Sequence, residues 1–173
     1  MRRWWAAAAL VLTPALLATG CDQASGSPRS APASTGPALV PPAGDVRQAY
    51  DTYWADLLAA GQRADPEDPA LARSTTGAQL DNMRGMLRRF SEAGQVVRGD
   101  VGHRIDGMEI TGARSRVLQD CVDLDRWLIY DRASGAPTDQ LRDKPSQLSS
   151  FTLVTERLGE PWKVTSVVVL GEC

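Results

Sequence analysis

Between residues 45 and 94, apolar residues recur at intervals of three and four positions along the chain. This spacing is typical of amphipathic helices and predicts three of them, separated by short polar stretches. The apolar stripe of the first predicted helix consists of Val46, Tyr50, Tyr53, Trp54, Leu57 and Leu58. That of the third consists of Leu80, Met83, Leu87 and Phe90. The first half of the domain is therefore predicted to be helical.

Residues that favour helix ends set the boundaries of these helices. Asp45 and Thr76 are each followed three positions later by a glutamine, which is the pattern of a capping box at a helix start. Asp68 directly precedes a proline, and this pair predicts the start of the short second helix. Gly61 and Gly94 are placed to end the first and third helices.

From residue 95 onward the spacing of apolar residues becomes alternating, which predicts strands. Val97, Val101 and Ile105 alternate with polar neighbours, and a similar alternation continues through residues 107–127. A short strand is predicted over 126–131, and a hairpin over 150–170 with its turn at residues 158–161. Helices followed by consecutive strands predict an α+β domain, in which the N-terminal helices pack on a curved antiparallel sheet.

The chain begins with Arg2 and Arg3, followed by an apolar run over residues 4–17 that is too short to span a bilayer as a helix. Such a run after basic residues is typical of a signal peptide, which we place at residues 1–20. Small residues lead into Cys21, and with the preceding leucines they resemble the lipobox of bacterial lipoproteins, with Ala18 where leucine is usual. This resemblance implies that Cys21 becomes the lipid-modified first residue and anchors the protein on the extracytoplasmic face of the cell membrane. The alternative is an ordinary secretory signal that ends beside a cysteine.

Residues 21–44 are rich in Pro, Ser, Ala and Gly and offer little to bury, so we expect a disordered tether there. The folded domain is placed at residues 45–173. Once Cys21 carries lipid, Cys121 and Cys173 are the remaining cysteines of the mature chain. In an exported protein this pair predicts a disulfide, which would pin the last residue of the sequence.

Residues 1–20 contain two arginines and no acidic residue. The 19 basic and 21 acidic side chains of the whole chain therefore become 17 and 21 in the mature protein, a net charge of −4. Such a surface lacks the basic stripe that phosphate backbones require, so nucleic acid is not expected as a partner. The sequence also lacks the nucleophile-elbow, phosphate-loop, dithiol and paired-histidine zinc motifs, and we expect neither a cofactor nor a metal.

His103 is the only histidine in the chain. It shares strand parity with Val101 and Ile105, which would point its ring into the core. A buried histidine that a neighbour satisfies by hydrogen bonding is favoured there over a general base.

Three acidic residues, Asp120, Asp123 and Asp125, surround Cys121. They would suit a calcium loop or an acid of raised pKa, but the glycine and the downstream glutamate of a calcium-binding loop are missing. Solvation at a turn or a strand edge is therefore the favoured interpretation.

Four aromatic residues, Tyr50, Trp54, Trp127 and Tyr130, could form a wall for an apolar ligand. Aromatic residues at these spacings are more often part of the core, and that interpretation is favoured. Together with the polar residues His103 and Asp120, they make up the candidate pocket.

Three helices, a strand, a bulged strand pair and a final hairpin resemble the nuclear transport factor 2-like fold, a cone-shaped α+β barrel also used by ketosteroid isomerases and polyketide cyclases. More narrowly, TTG at residues 75–77, DCVD at 120–123 and the terminal WKV…C pattern over 162–173 resemble small secreted actinobacterial lipoproteins and Mce-associated proteins of that superfamily. The resemblance covers residues 45–173 and implies a cavity between the sheet and the helices. In the enzyme branches it implies a catalytic Asp–Tyr or His–Asp set, which the motifs do not place in this chain.

Three functions are consistent with this sequence. The favoured one is a non-catalytic, membrane-anchored module that binds a protein partner or an apolar small molecule. The second is an isomerase- or cyclase-like enzyme that uses His103 and Asp120 for proton transfer, and the third is a structural accessory subunit of an envelope complex. A closed cavity shared by His103 and Asp120 would favour the enzyme, whereas a filled cavity and a sizeable exposed apolar patch would favour the accessory subunit.

We predict that Cys21→Ser releases the protein from the membrane or stalls its processing, because the acceptor of the diacylglyceryl group is lost. Two acyl chains anchor a protein stably, whereas a single chain binds only marginally. Membrane fractionation after detergent-free washing measures this, with Ser27→Ala in the neighbouring sequence as the control. Equal membrane retention of the Cys21→Ser variant would count against the anchor.

Overall fold

The computed structural model describes residues 38–138, 140 and 144–173. The predicted signal peptide, Cys21 and the tether as far as residue 37 lie outside these described residues. The helices are α1 (Gly44–Arg63), α2 (Pro69–Ser74) and α3 (Gly77–Glu92). The strands are β1 (Gln95–Arg98), β2 (Gly102–Gly112), β3 (Ser115–Asp123), β4 (Leu128–Asp131), β5 (Gln147–Val154) and β6 (Lys163–Glu172). Of the helices described, none is long and apolar enough to cross a membrane.

The strands form two antiparallel sheets. The larger one has the order β2-β3-β5-β6, and β1 pairs with β4 in the smaller one. The helices bury their apolar stripes against the larger sheet in a core that includes Tyr50, Leu71, Leu87, Leu118, Phe151 and Val164. Each such buried side chain contributes about 1.5–3 kcal/mol to stability, so this contact is the main force that holds helices and sheet together. The predicted α+β class, with N-terminal helices on a curved antiparallel sheet, is confirmed.

The first helix does not start with the predicted capping box. Its N-cap is Ala43, which makes no side-chain capping hydrogen bond. The Asp45 carboxylate instead accepts hydrogen bonds from the Val46 amide, at 2.9 Å, and from Trp162 Nε1, at 2.8 Å. Because Trp162 directly precedes β6, this interaction ties the first turn of α1 to the last strand.

The predicted glycine does not end this helix either. The helix continues through Gly61 to Arg63, and Ala64 terminates it in the left-handed conformation with a φ of 48°. A non-glycine residue in this conformation costs about 1 kcal/mol, which the buried position of Ala64 offsets. Gly61 is buried against Val97 of β1, where a Cβ would lie 3.6 Å from Val97 Cβ, so it serves the packing of helix on strand.

The starts of α2 and α3 differ from each other. Asp68 caps α2 as predicted, since its Oδ1 accepts a hydrogen bond of 2.9 Å from the backbone two residues on, and Pro69 is the first helical residue. Thr76 occupies the N-cap position of α3, but its side chain makes no capping hydrogen bond. Gln79, the other half of that predicted capping box, instead donates to Tyr53 Oη at 3.0 Å. A tertiary contact has thus replaced a local one.

The alternating stretch predicted after residue 95 forms two strands that belong to different sheets. β1 pairs with β4, while β2 begins at Gly102 and forms an edge of the larger sheet. The pairing of β2 with β3 shifts by one residue between Ile105 and Gly107, which leaves Asp106 in a bulge. A bulge at a sheet edge bends the strand and interrupts its hydrogen-bond ladder.

The last residues of the predicted tether lie against this bulge. Val40 and Met108 exchange two backbone hydrogen bonds, of 2.9 and 2.8 Å. Gly107 permits this approach, because its φ is 154° and a Cβ there would come within 2.8 Å of Leu39 Cβ. Residues 38–44 therefore belong with the folded domain rather than with the tether, since the edge strand offers unpaired backbone groups that this segment can bond.

Cys121 and Cys173 form the predicted disulfide, with a Cα–Cα distance of 6.0 Å. Cys121 lies on β3 and Cys173 directly follows β6, while β5 runs between these two strands. The Cys173 amide also donates to the Ser146 carbonyl at 3.0 Å. The last described residue is thereby fixed to the middle of the sheet instead of fraying.

We predict that Cys121→Ser combined with Cys173→Ser lowers the free energy of unfolding by about 2–4 kcal/mol, because the unfolded chain regains the freedom of a long loop. Denaturant unfolding of the wild type and the double variant measures the difference. A reducing agent should destabilise the wild type and leave the double variant unchanged. Quantitative thiol labelling of both cysteines in unfolded, unreduced protein would show that the disulfide is absent.

Candidate functional site

Three polar side chains meet in the core of the domain, and we call them the Tyr–His–Asp cluster. They are Tyr50 of α1, His103 of β2 and Asp120 of β3. His103 Nδ1 lies 2.7 Å from Asp120 Oδ2, and Tyr50 Oη donates a hydrogen bond to the same carboxyl oxygen. Tyr50 Oη also lies 3.2 Å from His103 Nδ1, so each member of the cluster contacts both of the others.

Strand register explains why these residues converge. Asp120 alternates with Leu118 and Val122, and all three are buried on the core face of β3. Val122 pairs with His103 in the neighbouring strand, which puts the histidine on the same face. The prediction that His103 points inward is confirmed, and its side chain is 24 % exposed although its backbone lies at the open edge of the sheet.

The favoured interpretation of the acidic residues is wrong for Asp120. Its side chain is 0 % exposed, and Oδ1 is buried with no hydrogen-bond partner among the described residues. The interpretation fits Asp123, whose Oδ1 accepts a hydrogen bond of 2.9 Å from the Asp125 amide in the turn after β3. The signal that separates these residues was present in the sequence, because Asp120 shares parity with two large apolar neighbours.

Aromatic rings from α1 and β5 pack against the cluster. The Trp54 ring centroid lies 5.0 Å from that of His103, and the Phe151 ring lies edge-on to Tyr50 at 4.9 Å. Of the candidate pocket residues, the structure therefore brings together Tyr50, Trp54, His103 and Asp120.

The other two candidate aromatic residues lie elsewhere. Tyr130 is on β4 and Trp127 directly precedes that strand, so both belong to the region of the smaller sheet. The Arg98 guanidinium lies 5.4 Å from the centre of the Tyr130 ring, a cation–π distance. These two residues do not extend the wall that the sequence suggested.

Burial sets the protonation state of the phenols in this region. Burial raises the pKa of Tyr50, and the hydrogen bond to Asp120 and the charge of that carboxyl group raise it further. Burial likewise raises the pKa of Tyr53 to about 12, against the opposing effect of the hydrogen bond from Gln79. Both phenols are thus neutral at physiological pH, Tyr50 as the donor to Asp120 and Tyr53 as the acceptor from Gln79. Within the described residues no group of three or more His, Cys, Asp or Glu side chains is placed to hold a metal ion.

A cavity of about 720 Å³ lies between α1, α2 and the turn that joins β5 to β6. We call it the α1–α2 cleft, and it contains none of the six candidate pocket residues. Its apolar walls include Ala49 of α1, Pro69 and Ala72 of α2, and Pro161 and Trp162 before β6. No local pattern indicated this cleft, because the turn on one side of it is more than 80 positions along the chain from the two helices on the other.

Trp162 lines the cleft, and both Asp45 and Arg116 contact its indole ring. It is 7 % exposed, its Nε1 donates to Asp45, and the Arg116 guanidinium lies 4.9 Å from its ring centre. The hydrogen bond from Trp162 holds the pKa of Asp45 below its ordinary value, so this carboxylate remains ionised. Lys163 follows, and its Nζ donates to the Ala72 carbonyl at 2.9 Å. These contacts join the β6 side of the cleft to both helices.

The comparisons with known proteins identify a fold and no family. No family model and no curated protein sequence matches the chain. Among solved structures, the intermembrane space region of the chloroplast protein ARC6 is 12 % identical over 73 % of this chain and 94 % of that one, with a TM-score of 0.53. At this identity the likeness shows a shared fold only.

Two further solved structures have lower TM-scores. A domain of unknown function with a cystatin-like fold from Nostoc punctiforme is 8 % identical over 76 % of this chain and 80 % of that one, with a TM-score of 0.46. A ketosteroid isomerase-like protein from Erwinia carotovora atroseptica is 18 % identical over 72 % of this chain and 93 % of that one, with a TM-score of 0.41. Similarity at these TM-scores is too weak to support a conclusion about function.

We predict that the free energy of unfolding falls as the pH rises above about 10, the ordinary pKa of tyrosine. Tyr50 and Tyr53 have raised pKa values in the folded state. Their contribution to the free energy of unfolding is therefore fully present below pH 10. It is lost at higher pH, because the unfolded chain releases protons that the folded chain keeps. Each contributes a slope of up to about 1.4 kcal/mol per pH unit. For Tyr53 the slope ends near pH 12, where the folded state also titrates.

Urea unfolding at a series of pH values measures this slope in the wild type, Tyr50→Phe and Tyr53→Phe. Each substitution should make the slope shallower. Tyr130→Phe, which removes the chain's third tyrosine from the smaller sheet, is the matched control and should retain it. An unchanged slope in both core variants would show that these phenols do not resist ionisation.

Proposed function

We propose that this protein is a non-catalytic, lipid-anchored extracytoplasmic module that binds an apolar small molecule in the α1–α2 cleft. The observation that supports it most is a cavity of suitable size in the cleft, which is lined by none of the three residues of the Tyr–His–Asp cluster. Pockets for small molecules typically measure about 300–1,000 Å³ and have apolar walls with a few polar groups. The cleft, at about 720 Å³ with alanine, proline and tryptophan in its walls, is of this kind.

The cluster itself is better suited to stability than to catalysis. A general acid or base must come within hydrogen-bond reach of a substrate proton. Tyr50 and Asp120 are fully buried, and the shared oxygen of Asp120 already bonds both partners. The enzyme hypothesis requires a substrate to reach between these groups, where Phe151 packs against Tyr50 and Trp54 packs against His103.

The anchor part of the proposal rests on the sequence. Cys21 follows the small residues of the lipobox-like segment, and the sequence between it and residue 38 is long enough to separate a membrane surface from the domain. A diacylglyceryl group supplies the two acyl chains that stable attachment needs. An apolar ligand partitions into membranes, so a module held beside the membrane would meet it at high local concentration.

One observation favours the accessory subunit as a second candidate. β6 is an edge strand of the larger sheet, and its C-terminal half exposes Val168, Val169 and Leu170 at 52–56 %. Exposed apolar residues on a sheet edge offer both unpaired backbone groups and apolar area to a partner strand. An envelope protein bound there would leave the cleft free, so this candidate is compatible with ligand binding.

We predict that the protein extracted from its own membrane retains an apolar molecule that native mass spectrometry detects. Thr52→Trp should lose this molecule, because Thr52 is exposed on α1 and lines the cleft, where an indole would fill the space. His103→Ala should keep the molecule and lose only stability, by about 0.5–3 kcal/mol, the ordinary range for a substitution.

Thermal unfolding of each variant is the control for folding. Retention of the molecule by a folded Thr52→Trp protein, or its absence from the wild type, would contradict the cleft as the binding site. A folded, normally abundant His103→Ala protein that fails to replace the wild type in cells would instead support the enzyme hypothesis.

A further inference from the structure

The charged groups around the α1–α2 cleft differ in whether they already have a partner. Asp45 uses both carboxylate oxygens, one on the Val46 amide and one on Trp162 Nε1. Two other charged residues of the cleft are in ion pairs, Arg73 with Asp56 at 3.2 Å and Glu160 with Arg157 at 3.7 Å. Each of these charges is therefore at least partly balanced by protein.

Lys163 is the exception. Its ammonium group donates one hydrogen bond, to the Ala72 carbonyl, and lies within 4 Å of no carboxylate among the described residues. An ammonium group has three N–H donors, so two remain for a ligand or for water. Lys163 is thus the one charge in the lining for which no described residue supplies a carboxylate within 4 Å.

Ser74 adds a second unsatisfied polar group to the residues that line the cleft. It ends α2, lines the cleft and is 3 % exposed, and its Oγ is buried with no hydrogen-bond partner among the described residues. Buried hydroxyl groups nearly always have a partner, so such a group calls for an acceptor that the described protein atoms do not provide. An ammonium group with free donors and an unpaired hydroxyl group, both on residues of a largely apolar lining, suit a ligand that ends in a negatively charged acceptor.

The geometry points to an amphipathic carboxylate as the ligand of the α1–α2 cleft. Its carboxylate would meet Lys163 Nζ, and its apolar body would pack on Trp162, Pro161 and Ala49. This inference rests on the proposed function, because it names the class of molecule that the same cleft takes. It excludes cationic amphiphiles, which would place a second positive charge beside Lys163.

The test is calorimetric titration of the mature, disulfide-bonded protein with three ligands that share an apolar chain: decanoate, 1-decanol and decylammonium, each below the concentration at which it aggregates. We expect decanoate to bind at least about ten-fold more tightly than 1-decanol, because a hydrogen bond between charged groups increases affinity by about that factor. Decylammonium should bind most weakly. The preference for decanoate should shrink in 1 M salt, because screening weakens the attraction between charges.

Lys163→Met should abolish the preference for decanoate over 1-decanol. Lys144→Met is the matched control, because Lys144 is the chain's only other lysine and lies outside the cleft, and it should retain the preference. Thr52→Trp should bind neither ligand, and thermal unfolding verifies that each variant is folded.

The outcomes separate this inference from the function on which it rests. Equal affinity for decanoate and 1-decanol in the wild type, or a preference that survives in Lys163→Met, would overturn the carboxylate and leave an apolar cleft in place. If Lys163→Met does not fold, the salt dependence of the wild type decides. A preference for decanoate over 1-decanol that does not change with salt would also overturn the carboxylate inference. Failure of the wild type to bind either ligand would overturn both the inference and the cleft as an apolar site.

Discussion

The buried carboxyl group of Asp120 is the constraint on which the packing of this domain depends. Removing such a group from water is costly unless hydrogen bonds replace its lost hydration. Here one oxygen is bonded by Tyr50 from α1 and by His103 from β2. The helix can therefore cross the sheet only where Tyr50 reaches β3, and a shift in the register of β2 would withdraw the histidine. A single polar interaction thus fixes one helix and two strands relative to one another.

Two further interactions hold the last strand at its two ends. Before β6, Trp162 is tied to Asp45 at the start of α1, and after β6, Cys173 is tied to Cys121 on β3. The strand therefore spans the domain between a fixed start and a fixed end. The α1–α2 cleft lies at the first of these ties, so its walls belong to elements whose relative positions are set by specific contacts. A ligand site built on such elements needs little rearrangement to bind.

The parts of the structure that follow from local pattern could be predicted from the sequence, and the parts that arise from distant contacts could not. Alternation and helical spacing indicated the helices, the later strands and the α+β class, and an even pair of cysteines indicated the disulfide. Asp45 and Gln79 were expected to cap helices, because local spacing cannot show that Trp162 and Tyr53 compete for their side chains. Competition of this kind is decided by tertiary packing, which a motif does not encode.

The candidate site was predicted in the same uneven way. Strand parity indicated that His103 points inward, and the same argument applied to Asp120 would have indicated its burial. The neighbouring acids Asp123 and Asp125 drew attention to solvation instead, because a run of acidic residues is usually at the surface. The cleft had no comparable signal, since Trp162 and Lys163 stand out only when the turn before β6 is folded against α1 and α2.

The charge of the whole molecule also bears on how the cleft would select a ligand. The chain's net charge of −2 would repel an anion at long range, but at physiological ionic strength exposed charges beyond about 8 Å are largely screened. The groups within that distance of a bound carboxylate therefore decide its affinity, and the acidic residues that line the cleft are already engaged by Trp162 and Arg157. Lys163, one of the chain's two lysines, lines a largely apolar cleft and has no carboxylate within 4 Å among the residues that the structure describes. Selection would therefore be local, and the cleft would admit an anion that the surface as a whole disfavours.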